Sequence, residues 1–582
     1  VLCACRASDS ALIAVDAVAG IQVGTVRAWH RCEALGMARG VVVTGLDREN
    51  TDFSKTLAQI QDIWGKKCVP AVFPLPGCEE VVDVLGTGGA KGAGGEQAGK
   101  FMDALTEHAA ESEDALIEKY LGGEALTEDE LHKGLRAAVR AGNLVPVFAA
   151  ISTKDIGVNE LLAGITRLFP SPEELEVEDD DGKAVETGRD APFVGLVWRT
   201  VTDPYAGRLV FIRVLGGTLA EDMEVMNVSK GNKERIGSLL VSCGGKKPVA
   251  VPEASAGDIV ALPKLKGTTV NDVLCAIGHK VGFKPIVFPS PVVSFAAVAR
   301  ERADEGKIGI ALSRAAEDDP SLTFERRTDT NELVISGMGD VHVEVAHELM
   351  KKRSNVDVDL KTPKVPYRET VTAQGEGHYK HKKQSGGRGQ YGEVYARIEA
   401  NKSGEEWFGD AVVGGVIPRN FIPACEKGFA EAMRSGVVAG FPVVDVKVTV
   451  HDGSYHDVDS SEIAFKIAAS RAFKDAMSKG KPVLLEPIMK VKVAVPGQYM
   501  GDINGDLNHK RGRILGVGLE DGMQVITAEV PQAEIFRYSS ELRSMTGGRG
   551  SFEMSFLRYD VVPAGSTQKI VASAEKGSEE EE

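Results

Sequence analysis

The sequence predicts a multidomain protein that begins with an α/β domain, continues with a small β-barrel and ends with α+β domains. Its 582 residues exceed what one hydrophobic core can organise, and about 150 residues per domain suggests about four domains. Apolar strand patterns alternate with helical patterns over residues 11–150, as in an open α/β sheet. Short alternating strands with glycine-containing turns cover residues 191–287, which is typical of a β-barrel.

The α/β domain is predicted from continuous apolar runs, which indicate parallel strands covered on both faces. These runs occupy residues 11–18, 40–44, 68–73 and 144–150. Helices are predicted between them, over residues 23–35, 53–64, 98–120 and 127–141. The glycine-rich stretch 86–95 lacks packing side chains and is predicted to be a flexible insert.

Three later segments mix strands with helices and predict α+β domains. They cover residues 290–362, 366–481 and 487–563. The tail from residue 566 ends in SEEEE, and its like charges and low hydrophobicity predict disorder.

The composition excludes several functional classes. No apolar stretch approaches the ~20 residues that span a bilayer, and eight scattered cysteines form no CxxC pair, which fits a reducing cytoplasm. Lys and Arg number 68 against 84 Asp and Glu, a net charge of −16, whereas a protein that coats nucleic acid is basic overall. Any contact with RNA is therefore expected at a local basic patch.

Residues 94–100 (GGEQAGK) match the GxxxxGK spacing of a phosphate-binding loop. However, Phe101 follows where a magnesium-binding hydroxyl is required, and the segment does not come directly after a strand. We therefore expect a linker whose end caps a helix.

Thr44, Gly45 and Asp47 follow a predicted parallel strand, at the edge where open α/β sheets bind ligands. A carboxylate there can accept two hydrogen bonds from the edge of a guanine base. By itself the pattern is weak, because an aspartate after a strand more often caps a turn or a helix.

Two later loops are candidates for RNA contact. Residues 380–392 (KHKKQSGGRGQYG) combine cations with glycines that permit a tight exposed turn, although an ordinary solvated loop has the same composition. Residues 451–462 (HDGSYHDVDSSE) carry two histidines without a further ligand at a usual metal spacing. The structural alternative for this loop is a turn in which Ser460 or Ser461 caps the next helix.

Long segments of the chain resemble elongation factor G, a translational GTPase. They include QSGGRGQYG, GGVIPRNFIPACEKGFAEAMRSG, PVLLEPIMKVKV, YMGDINGDLNHKRGRILG and LRSMTGGRGSFEMSF. SGMGDVHVEVAHELMKK and KVPYRETV are similar to its third domain and the start of its fourth, and DPYAGRLVFIRVLGG is similar to its second domain. The resemblance extends from residue 1 to about residue 563.

The resemblance implies a multidomain α/β and α+β fold class. Its parts would be a partial P-loop GTPase domain, a translation-factor β-barrel, two ferredoxin-like domains and an elongated domain similar to ribosomal protein S5. The boundaries we expect are 1–172 for the C-terminal part of the GTPase domain with a reduced insert, 173–190 for an acidic linker, 191–287 for the barrel, 288–363 for domain III, 364–484 for domain IV, 485–565 for domain V and 566–582 for a disordered acidic tail.

The resemblance further implies binding of GTP or GDP with Mg²⁺. The nucleotide-binding residues it implies are Thr44, Gly45, Asp47, Ile151, Ser152 and Thr153. Asp47 would contact the base, and the backbone at Ile151 and Ser152 would contact the guanine oxygen. Where the family has Asn-Lys-x-Asp, this chain has Thr44 and Gly45, which is similar to the second, paralogous type of elongation factor G and weakens base recognition. Val1 lies downstream of the family's phosphate loop, switches and catalytic histidine, so we expect no catalytic or metal-binding residue in this chain.

The implied partner is the ribosome, with its ribosomal RNA and the tRNA–mRNA pair in the decoding region. The RNA-contacting residues it implies are Lys380, Lys382, Lys383, Gln384, Ser385, Gly386, Gly387, Arg388, Tyr455, His456, Asp459 and Ser460. We expect a monomeric, cytoplasmic GTPase, without membrane contact, that drives tRNA–mRNA translocation or ribosome recycling. The alternative, favoured by the altered TGLD motif, is a ribosome-binding regulator with weak or no GTPase activity. A third option, a ribosomal protection protein of the tetracycline-resistance kind, fits QSGGRGQYG less well.

Overall fold

The structure is a computed structural model that describes residues 1–86, 94–203, 207–241, 248–265, 267–301, 304–383, 389–401, 406–520 and 522–581. It divides into two compact units. The first unit contains Val1–Pro289 and Arg314–Pro320, and the second contains Ser290–Ser313 and Ser321–Glu582. Among the described residues, no helix is both long enough and apolar enough to cross a membrane.

A four-stranded parallel sheet organises the beginning of the first unit, in the order β1-β2-β6-β3. The strands of this part are β1 (Ser10–Asp16), β2 (Ala38–Thr44), β3 (Cys68–Pro70), β4 (Val72–Pro74), β5 (Val81–Asp83) and β6 (Val145–Ala149). The helices are α1 (Leu2–Ala7), α2 (Val23–Ala34), α3 (Phe53–Trp64), α4 (Gly95–Ala110), α5 (Asp114–Leu121), α6 (Glu128–Arg140) and α7 (Val158–Leu168). Strands β2 and β6 are buried almost throughout, which confirms the predicted α/β class.

Three expectations for this part are corrected. The apolar run 68–73 falls in two strands of two sheets, because β3 pairs with β6 whereas β4 pairs with β5, and Pro70, the last residue of β3, has no amide with which to continue the ladder. The helix expected over 98–120 breaks between α4 and α5, where the Ser112 hydroxyl bonds to the Ala109 carbonyl. Strand β1 is buried on one face only, since Leu12 is exposed.

The rest of the first unit is rich in antiparallel strands, as predicted. Eight strands form one sheet in the order β13-β12-β18-β9-β10-β17-β14-β15, and β11 pairs with β16. They are preceded by a short hairpin of β7 and β8. The strands are β7 (Val177–Glu178), β8 (Ala184–Val185), β9 (Val194–Asp203), β10 (Gly207–Gly216), β11 (Thr218–Ala220), β12 (Glu224–Asn227), β13 (Asn232–Arg235), β14 (Leu239–Val241), β15 (Val249–Val251), β16 (Glu253–Ser255), β17 (Ile259–Pro263) and β18 (Val273–Ala276).

Two β-α-β-β-α-β repeats lie in the second unit, except that residues 314–318 of the first helix belong to the first unit. The first is β19 (Val293–Ala299), α8 (Glu305–Asp318), β20 (Thr323–Arg327), β21 (Glu332–Gly337), α9 (Asp340–Ser354) and β22 (Val358–Lys361). The second is β28 (Pro482–Val495), α12 (Met500–His509), β29 (Arg513–Glu520), β30 (Met523–Pro531), α13 (Tyr538–Thr546) and β31 (Ser551–Val561). In both repeats the second strand of the repeat lies at one edge, followed by the third, the first and the fourth. This is the predicted ferredoxin-like order.

The end of the chain differs from the prediction of a disordered tail over 566–582. Residues Ala564–Glu581 form helix α14. Ala, Gln, Lys and Glu are strong helix formers, so a segment too polar to build a core can still adopt helical backbone.

Between the two repeats lies a sheet in the order β24-β25-β27-β26, with β26 parallel to β27. This part of the chain contains β23 (Arg368–Val371), β24 (Gly375–Lys383), β25 (Gln390–Ala400), β26 (Phe408–Asp410), α10 (Ile422–Ser435), β27 (Val446–Ser454) and α11 (Glu462–Lys479), and β23 pairs with β28 of the second repeat instead of joining this sheet. Helix α11 packs directly against β24 at Gly377. A side chain could not fit there, since a Cβ would lie 2.1 Å from the Ala472 carbonyl oxygen. Strand pairing places the β24–β25 and β27–α11 connections at the same end of this sheet.

Candidate functional site

Two neighbouring parallel strands, β2 and β6, end side by side at the carboxyl end of the first sheet. Asp47 follows β2, and Thr153 follows β6. The Thr153 hydroxyl donates a hydrogen bond to Asp47 Oδ2 at 2.8 Å. Two loops that are 106 residues apart in the sequence therefore meet in one polar constellation, which brings together two of the predicted nucleotide-binding residues.

The Asp47 carboxylate is exposed and has a lowered pKa. The hydrogen bond from Thr153 is the main cause, and a hydrogen bond from the Asp47 backbone amide adds to it. An ionised carboxylate offers acceptor positions on both oxygens, and Thr153 uses one of them. The remaining positions can accept N–H groups from a ligand.

Gly45 has a left-handed backbone with φ of +71°. A Cβ there would lie 3.3 Å from Asp16 Oδ2 and 3.6 Å from the guanidinium of Arg48. Arg48 itself pairs with Asp16 at 2.9 Å. A lysine at position 45 would therefore meet backbone strain of about 1 kcal/mol in addition to this ion pair, so the glycine fits the loop as this chain builds it. The sequence motif did not indicate Asp16 or Arg48.

In the loop after β6, one of the two backbone amides predicted to bind the base can donate to a ligand. The Ile151 amide donates to the Ile156 carbonyl at 2.8 Å, and the Ile151 side chain is buried. Ser152 is exposed, and its amide makes no hydrogen bond with the residues that the structure describes. Of the two amides expected to contact a base oxygen, the Ser152 amide is thus the one available.

The segment that matches GxxxxGK begins helix α4, as the helix-cap interpretation expected. Gly94 is the N-cap residue with φ of +91°, and Lys100 pairs with Glu96 one turn earlier at 2.9 Å. This lysine lies on a helix surface.

The loop between β27 and α11 is folded around His456. The amides of Val458 and Asp459 donate to His456 Nδ1 at 3.3 and 3.2 Å. Because Nδ1 accepts these bonds, the ring hydrogen lies on Nε2. His456 and Tyr455 are both exposed, so the loop presents a ring N–H and a phenol to its surroundings.

Asp459 and Ser460 hold this loop to its neighbour. Asp459 Oδ1 accepts the Gly389 amide at 3.0 Å, and the Asp459 carbonyl accepts the Tyr391 amide at 2.9 Å. The Ser460 hydroxyl donates to the Tyr391 carbonyl at 3.0 Å and accepts the His456 amide at 2.8 Å. These two side chains, which are also predicted to contact RNA, shape the loop through hydrogen bonds within the protein.

Lys380 also has partners within the protein. Its ammonium lies 3.3 Å from Glu393 Oε2 and 5.3 Å from the centre of the Tyr391 ring. Glu393 is additionally bonded by the Ser454 hydroxyl at 2.5 Å and lies 2.8 Å from His378 Nε2. Burial would raise the pKa of Glu393, but these hydrogen bonds outweigh it and lower the pKa to about 2. Sequence reasoning missed this cluster, which depends on strand register.

Two further predicted cations, Lys382 and Lys383, are exposed at the end of β24. Five predicted contact residues lie outside the residues that the structure describes. They are Gln384, Ser385, Gly386, Gly387 and Arg388.

Comparison with known proteins matches most of the chain to models of translation elongation factor domains. Residues 1–171 match the family model described as Elongation factor Tu GTP binding domain, and residues 192–277 match Elongation factor G domain 2. Residues 288–362 match Elongation Factor G, domain III, residues 363–481 match Elongation factor G, domain IV, and residues 483–570 match Elongation factor G C-terminus.

A solved structure supports the same assignment. The chain is similar to the protein ttk003000868 from Thermus thermophilus, with 38% sequence identity and a TM-score of 0.81. The match covers 99% of this chain and 87% of the Thermus chain. A GTP-binding domain of this type followed by these four domains defines a translation elongation GTPase. The chain belongs to the elongation factor G family.

Proposed function

We propose that this protein acts on the ribosome and couples GTP hydrolysis to tRNA–mRNA translocation or to ribosome recycling. The observation that carries the proposal is the loop around His456. Its backbone is fixed by hydrogen bonds to His456 Nδ1 and Ser460 Oγ, while the His456 and Tyr455 side chains stay exposed. A preorganised loop that projects donors binds RNA with little loss of conformational entropy.

The groups at the ends of β2 and β6 support a guanine ligand. The Asp47 carboxylate is complementary to the ring N–H and amino group of guanine, and the Ser152 amide is complementary to its carbonyl oxygen. GTP or GDP with Mg²⁺ is the ligand that the family implies, and these two groups fit its base. The protein would act as a monomer on cytoplasmic ribosomes, and the threonine of TGLD supports membership of the second, paralogous type.

The experiment compares GTP turnover by the full protein with and without ribosomes, and then separates the two ribosomal steps. Movement of mRNA is followed by toeprinting, and separation of the subunits is followed by light scattering. Ribosome-stimulated turnover together with either step supports the proposal. Ribosome binding without turnover would favour the alternative, a regulator with weak or no GTPase activity. The observation that favours this alternative is Gly45, which stands where the family has a lysine in its base-binding motif.

A further inference from the structure

A second surface of domain IV, along helix α11 just after the loop around His456, has the properties of a ligand site. A cavity of about 710 Å³ lies along the outer face of helix α11. It is lined by Tyr379, Glu431, Ile463, Lys466, Ile467, Ser470, Arg471 and Lys474. Six of these residues come from α11 at positions that share one face of a helix, and Tyr379 comes from the edge strand β24.

The Arg471 guanidinium is held in a fixed position within this cavity. Its Nη1 donates to the Tyr379 hydroxyl at 2.9 Å, and its carbon atom Cζ lies 5.1 Å from the centre of the Tyr379 ring. The arginine remains exposed, and the remaining N–H groups of its planar fork are matched to phosphate oxygens. A guanidinium that is already ordered loses less entropy when it binds an anion.

Two lysines extend the positive charge along the same helix face. Lys466 pairs with Glu431 at 2.5 Å, whereas Lys474 is exposed and makes no ion pair with a residue that the structure describes. They are eight positions apart, which corresponds to about 12 Å along the helix axis. The cavity therefore carries three cations against one carboxylate, in a protein whose net charge is −16.

Apolar groups complete the lining. Ile463 is 63% exposed, and Ile467 lies one turn further along the same helix and also lines the cavity. Cations interleaved with apolar and aromatic side chains suit the sugar–phosphate backbone of a nucleic acid, because riboses present apolar edges between charged phosphates. An acidic peptide would satisfy the cations but has no such regular alternation.

We propose that the α11 cavity binds the phosphodiester backbone of RNA, as a contact of domain IV separate from the loop around His456. This proposal rests on the proposed action on the ribosome. Arg471 engages a phosphate by a bidentate contact, Lys466 and Lys474 neutralise phosphates on either side, and Ile463 and Ile467 pack against ribose.

The test measures ribosome binding as a function of salt concentration with the full protein. The double substitution Lys466→Gln with Lys474→Gln removes two phosphate contacts, and should flatten the slope of log affinity against log salt by about 1.4–1.8. Arg471→Lys keeps the charge but loses the stack on Tyr379, and should weaken binding while leaving the slope nearly unchanged.

Lys427 and Arg434 provide a matched control. Both are exposed on α10 in the same domain, and neither lines the cavity. Lys427→Gln with Arg434→Gln removes the same charge and should leave the slope within error of the unmodified protein. An equal change in both double variants would overturn the proposal, because it would show a general charge effect. An unchanged slope in the Lys466 and Lys474 double variant would overturn it as well.

The RNA source is identified by directed hydroxyl-radical cleavage from iron–EDTA attached at Ser470→Cys, compared with protein that lacks this substitution. Cuts in ribosomal RNA on ribosomes without tRNA identify ribosomal RNA, and cuts that require bound tRNA identify tRNA. Cuts in neither RNA, on ribosomes that still bind the protein, would overturn this proposal and point to an acidic protein. Failure of the unmodified protein to bind ribosomes would instead refute the proposed function.

Discussion

Gly389 lies against the Asp459 carboxylate, which joins the β24–β25 loop of domain IV to the β27–α11 loop. A Cβ at this position would lie 2.9 Å from Asp459 Cγ, and the Gly389 amide is the donor to Asp459 Oδ1. Gly389→Ala therefore has to displace Asp459 and break a hydrogen bond to a charged group, worth about 1.5–3 kcal/mol locally. We expect the ribosomal step to slow by about tenfold or more, while the melting temperature falls by only a few degrees because the lost bond lies at the loop ends.

The control for this substitution is Gly501→Ala, because a Cβ there meets no atom within 4 Å. The rate is measured by the toeprinting or light-scattering assay, and melting by circular dichroism. A Gly389→Ala protein that works at the normal rate would show that the connection between the loops has no functional role.

Thr153 is expected to raise the affinity for GDP and to lower the pKa of Asp47. Thr153→Val removes the hydroxyl that donates to Asp47, so GDP affinity should fall about three- to tenfold. The pKa of Asp47 would also rise towards its ordinary value, so the loss of affinity on acidification should begin at a higher pH than in the unmodified protein. Calorimetric titration of GDP from pH 8 to pH 4 measures both effects. Ser152→Ala keeps its amide and should bind normally, whereas identical pH profiles for Thr153→Val and the unmodified protein would contradict this role.

At the level of elements, the connection between α10 and β27 is organised by one buried carboxylate. Glu369 on β23 is fully buried and accepts four backbone amides, from Val437, Val438, Ala439 and Phe441, at 2.7 to 3.1 Å. Glu369→Gln would turn an amino group towards these donors, so we expect a loss of about 2–4 kcal/mol in unfolding free energy. Urea denaturation measures it. Glu376→Gln, at an exposed ion pair with Arg397, should cost less than about 1 kcal/mol, and equal losses would contradict the argument.

The cluster around Glu393 connects β24, β25 and β27 and predicts acid sensitivity. The folded-state pKa is lowered to about 2, so the stabilisation is fully present above the unfolded-state pKa near 4.5 and is lost as the pH falls towards 2. Glu393→Gln should lower stability by about 1–3 kcal/mol at neutral pH and should lose less stability between pH 5 and pH 2. Thermal melts across this range provide the measurement, and parallel pH curves for the two proteins would exclude the cluster as the cause.

At the level of the whole molecule, the chain divides into two compact units, so heating should produce at least two calorimetric transitions. Glu369 lies in the second unit, so Glu369→Gln should shift one transition and leave the other in place. A single transition that moves as a whole in this variant would show that the units unfold together.

Sequence patterns predict the bounds of an element correctly where local signals and long-range packing agree. Helix α3 has the predicted bounds, because the Asp52 carboxylate caps its first turn and its apolar residues repeat with helical spacing. The loops of domain IV were located from their motifs. The partners of Lys380, Asp459 and Ser460 could not be predicted, because strand register and a contact 70 residues away in sequence determine them. The domain boundaries and the contact residues remain predictions.

The pairing of β23 with β28 has a mechanical consequence. The chain enters domain IV through β23 and leaves it through β28, and these strands are joined from Arg368–Leu485 to Val371–Pro482. Strand β28 then continues into the ladder with β30 and β31. Both covalent connections of the domain thus form one stiff stem rooted in the neighbouring sheet. We expect a rotation of that sheet to carry domain IV, including the histidine loop, along with it, because two hydrogen-bonded strands resist bending more than two separate linkers would.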